Sequence, residues 1–73
     1  MSDLIKEWLL EMFDSEIEEV NGTISNNRLW LVGCASTEEA IMYEENIVNL
    51  VEYRDVLKKL REQTKKGELP YDL

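Results

Sequence analysis

From Asp3 onward, apolar side chains recur at Ile5, Trp8, Leu9, Met12, Phe13, Ile17 and Val20. Steps of three and four residues are the period of an amphipathic helix, which predicts a first helix over residues 3–20. Ser2 is its expected N-cap, and Asn21-Gly22 its expected stop. Leu4 and Leu10 widen the apolar sector to about 200° of the helix wheel, more than one packing partner needs. A competing parse ends the helix near Asp14 and makes Glu16 to Val20 a strand, with Asn21-Gly22 as a hairpin turn. Unbroken periodicity favours the helix.

The pattern changes after Gly22. Thr23-Ile24-Ser25 and Arg28-Leu29-Trp30-Leu31-Val32 flank Asn26-Asn27, two residues that tolerate the positive φ of a tight turn. A short β-hairpin over 23–33 is the expectation. Such a ribbon is stable only when packed on helices or on another copy. The small residues Gly33-Cys34-Ala35-Ser36 then allow a close turn into a second helical segment.

Residues 37–66 contain no Pro and no Gly and read as one long helix. Ser36 and Glu39 have capping-box spacing, and Lys65, Lys66 and Gly67 suit a C-terminus. At 1.5 Å per residue the helix spans about 45 Å, longer than a globule of this size requires. Its apolar residues fall on two faces. Ala40, Ile47 and Val51 mark the first half. Tyr53, Val56, Leu57 and Leu60 mark the second, about 120–140° around the wheel. The second face is the expected partner or oligomer interface, flanked by Arg54, Lys58 and Arg61.

Beyond Gly67, Pro70 ends any helix, and Leu69, Tyr71 and Leu73 form an extended apolar tail over 68–73 that suits a groove or sheet edge. The predicted fold is therefore α+β and mainly helical: one small domain over 1–67, ordered helix, β-hairpin, long helix, with the tail after it.

Charge sharpens this picture. The 73 residues carry a net charge of −8, with 33% charged and 44% hydrophobic positions. Residues 1–20 hold seven acids and Lys6, a net −6; residues 21–52 sum to −4; residues 53–66 sum to +4. Acidic and basic halves of the long helix are self-complementary in an antiparallel pair, so a homo-oligomer is expected. An acidic body opposes direct nucleic-acid binding. No signal peptide and no apolar run long enough for a membrane are present, and Cys34 is the single cysteine. These features suit the reducing cytoplasm, with no membrane association.

The chain has no histidine, no second thiol and no glycine-rich phosphate loop, so no catalytic residue, metal site or cofactor is expected. Trp8 and Trp30 suit a core first and an interface anchor second. Glu16, Glu18, Glu19, Glu38, Glu39, Glu44, Glu45 and Glu52 would form an acidic surface if the helices lay side by side. The expected function is a non-enzymatic protein-binding module, oligomeric, that inhibits or modulates a protein partner by covering its surface. In size, acidity and lack of catalytic residues it resembles short phage and mobile-element proteins that bind host factors. The alternatives are a nucleic-acid mimic for a basic groove, and a sequestering protein for a small phosphorylated ligand held by Arg54, Lys58 and Arg61.

Overall fold

In the computed structural model, which describes residues 3–67, the chain is a hairpin of two long helices. Helix α1 runs Asp3–Gly33 and α2 runs Thr37–Lys65, joined by residues 34–36. There is no strand among the described residues, so the α+β class and the β-hairpin over 23–33 are corrected to an all-helical hairpin. The helix expected to stop at residue 20 continues for another turn and beyond, through Asn21-Gly22 and Asn26-Asn27.

The physical reason lies in one stripe. Phe13, Ile17, Val20, Ile24, Asn27 and Leu31 are spaced four, three, four, three and four residues apart. That is the seam of a two-stranded coiled coil, and it runs unbroken past Gly22. Ile24, at 2% exposure, and Asn27, at 4%, are among the most buried residues of the molecule. An interior glycine costs a helix about 1 kcal/mol relative to alanine, which packing along a continuous seam outweighs. On α2, Tyr43, Leu50, Leu57 and Thr64 repeat every seven residues, as do Ile47, Arg54 and Arg61 between them. Val20, Ile24 and Leu57 form the buried centre, packed by Phe13, Ile17, Ile47, Leu50 and Val51.

Several polar groups along the seam find partners within or across the helices, whereas the buried Nε of Arg54 has no hydrogen bond among the described residues and only the Asp55 carboxylate near it, at 3.7 Å. Asn27 Nδ2 donates to the Thr23 carbonyl at 2.9 Å, and Asn46 Nδ2 donates to Asn27 Oδ1 at 3.3 Å. Thr64 Oγ1 donates to the Leu60 carbonyl at 2.9 Å. The ends of α2 follow the expected chemistry. Ser36 Oγ accepts from the Glu39 N–H at 3.1 Å, and the Glu39 carboxylate accepts from the Ala35 N–H at 3.4 Å. Gly67 closes the helix at φ +79°, a left-handed conformation that glycine adopts without a Cβ penalty. The expected N-cap Ser2 and the tail, including Leu69, Tyr71 and Leu73, lie outside the described residues.

Candidate interaction surface

The two edges of the hairpin differ in chemistry. On one edge the Arg61 guanidinium donates to the Asp14 carboxylate, and Arg54 Nη1 donates to Asn21 Oδ1 at 3.0 Å. The bond to Asp14 raises the Arg61 pKa further above its ordinary value, as does the negative charge beside it. Arg61 also meets Glu62 at 3.3 Å, and Arg54 meets Asp55 at 3.7 Å. Antiparallel packing thus lays the basic half of α2 along the acidic first half of α1. Charges expected to seek a second molecule are partly neutralised within the chain.

The other edge is more apolar. Met12, Phe13, Glu16, Tyr53 and Leu57 line a shallow groove there, and the Tyr53 hydroxyl donates to Glu16 Oε1 at 3.2 Å. Burial, then the negative charge and hydrogen bond of Glu16, raise the Tyr53 pKa. Near the closed end, Trp30 tilts at 45° against Tyr43 with ring centroids 5.9 Å apart, a separation typical of favourable aromatic pairs. Trp8 is 60% exposed and Trp30 stays more than half exposed, so neither tryptophan forms the central core.

The residues expected at an interface therefore separate. Val56 and Tyr53 are exposed and Leu60 is half-buried, whereas Leu57 points into the hairpin's own core. Of the three cations offered to a phosphate, Arg54 and Arg61 are already engaged, and Lys58 stands exposed beside Asp14, Ile17 and Arg61. The eight glutamates do not form one surface. Glu16 faces Tyr53, and Glu18, two residues on, stands about 200° around α1. Glu39 caps α2. Glu38, Glu45 and Glu52 share one line along α2, Glu44 stands about 100° from it, and Glu19 lies on α1 near Tyr53.

Sequence reasoning missed the outer face of α1. Leu4, Ile5, Trp8 and Met12 are all exposed, and Ile5, Trp8 and Met12 have the i, i+3, i+7 spacing of helix anchors that enter grooves. The over-wide apolar sector of α1 was the signal for it.

Among the described residues, no group of three or more carboxylates or thiols converges to hold a metal ion. No helix among them is long and apolar enough to cross a membrane. No protein-family model, curated protein or solved structure matches the chain. The class is accordingly defined by geometry alone: a two-helix hairpin with apolar surface left uncovered on both helices.

Proposed function

We propose that the protein is a non-enzymatic binding module that modulates or inhibits a protein partner by covering part of its surface. The observation that carries this reading is the apolar line Leu4, Trp8 and Met12 on the outside of α1. A contiguous exposed apolar patch on a small chain marks an interaction site more often than chance decoration. Asp3, Glu7 and Glu11 border the line, so the partner's groove is apolar at its floor and carries Lys or Arg at its rim.

Affinity capture with the intact chain, compared with Leu4→Ser and Trp8→Ser, tests this. Both variants keep their helicity, because the substituted side chains are exposed. A partner retained by the wild type and lost by both variants, whose own activity falls when bound, supports the reading. A partner retained equally by all three, or bound with no effect on its activity, removes it.

A further inference from the structure

The outer side of α2 carries a second seam, distinct from the one that faces α1. Met42, Asn49, Val56 and Gln63 repeat every seven residues, one position before Tyr43, Leu50, Leu57 and Thr64. They stand about 100° around the helix from the seam facing α1. About 60° further round runs a charged line at the same spacing: Glu38, Glu45, Glu52, Lys59 and Lys66. It is acidic for three positions and basic for two. All five are exposed, and none forms an ion pair with another of the described residues.

We infer that the occupant of this seam is a second copy of the chain, its α2 packed antiparallel against the first. A two-fold axis across the helices reverses one copy against the other, so residues whose numbers add to the same total lie opposite each other. With the axis near Val56, Glu52 lies opposite Lys59 of the second copy and Glu45 opposite its Lys66. Symmetry makes every such pair occur twice. A parallel pair sets glutamate beside glutamate and lysine beside lysine, so the charge order selects the antiparallel arrangement. Val56 and the exposed part of Tyr53 supply apolar contact beneath that rim, within the stretch over which the two α2 helices overlap.

Shape and area fit this occupant. The Cα radius of gyration is 16.0 Å and the longest extent 51 Å, where a compact chain of this length has a radius of about 11 Å. The surface of 5559 Å² exceeds the ~4,700 Å² of a globular monomer of this mass. The surplus is comparable to the ~800 Å² that each partner contributes to a standard interface. This inference rests on the reading of the protein as an interaction module, yet it uses α2, whereas partner capture uses α1.

Sedimentation equilibrium at high micromolar concentration tests it, with Glu52→Lys, Lys59→Glu and the double variant. The wild type is expected at twice 8.6 kDa. Each single reversal replaces two attractive pairs by two repulsive ones and should weaken dimerisation about tenfold or more. The double variant, and an equimolar mixture of the two single variants, should restore it. A wild type that stays monomeric, a dimer indifferent to both reversals, or a failure of the swapped pair to recover overturns the inference. Trp8→Ser should leave the dimer intact, so loss of partner capture and loss of dimerisation are separately visible.

Discussion

Asn46 donates a hydrogen bond to Asn27 across the hairpin, at 3.3 Å between residues nineteen apart in the chain. In the sequence Asn27 has the character of a turn residue. In the fold it occupies a core position inside α1, six residues before the helix ends, with its amide nitrogen on the Thr23 carbonyl and its amide oxygen on Asn46. A buried asparagine at such a position fixes the alignment of two helices at some cost in stability.

Asn27→Gly should therefore destabilise the protein. It removes two hydrogen bonds from a buried site and adds the helix cost of glycine, for a loss of roughly 1–3 kcal/mol. Urea unfolding monitored by circular dichroism measures this. A type I′ turn at Asn26-Asn27 would have tolerated the same change or gained from it.

Gly22→Ala should stabilise by about 1 kcal/mol. Nothing lies within 4 Å of a Cβ added there, and Gly22 does not have a positive φ. The expected result is a higher urea midpoint with an unchanged slope; a lower midpoint would place a turn at Asn21-Gly22 after all.

Adjacent residues on α2 should respond oppositely to the same change. Leu57 is 7% exposed in the centre of the hairpin, while Val56 is 54% exposed. Leu57→Asp buries an unpaired carboxylate and should abolish helical circular dichroism at room temperature. Val56→Asp should leave the monomer folded and act on association alone, visible as a change in sedimentation without a change in helicity.

Tyr53 provides a titration test. Its pKa is raised, first by burial and then by Glu16. The folded state thus favours the neutral phenol more than the unfolded chain does. The contribution is fully present below the unfolded pKa and is lost as pH rises through the folded value, so it fades on the alkaline side of pH 10. Phenolate absorbance should contain a late-titrating component in the wild type that Tyr53→Phe removes. Glu16→Gln should move that titration to lower pH, because the negative charge near the hydroxyl is gone.

The sequence by itself determined the second helix from Ser36 to Gly67, because caps, glycine placement and an unbroken run of helix-forming residues are local chemistry. It also determined that α1 would carry more apolar surface than one neighbour could cover, and that the basic charges would gather at residues 53–66. Only the tertiary structure decided that Thr23 to Gly33 continues α1. In those residues the β-branched and asparagine preferences are weak local terms, and burial of Ile24 and Asn27 against α2 overrides them. It likewise decided which α2 face is internal. Leu57 and Val56 are equally apolar neighbours, and only the position of α1 sends one inward and leaves the other outside. The pairing of Arg61 with Asp14, 47 residues apart, comes from the same event: the turn at residues 34–36 folds the basic half of α2 back onto the acidic half of α1.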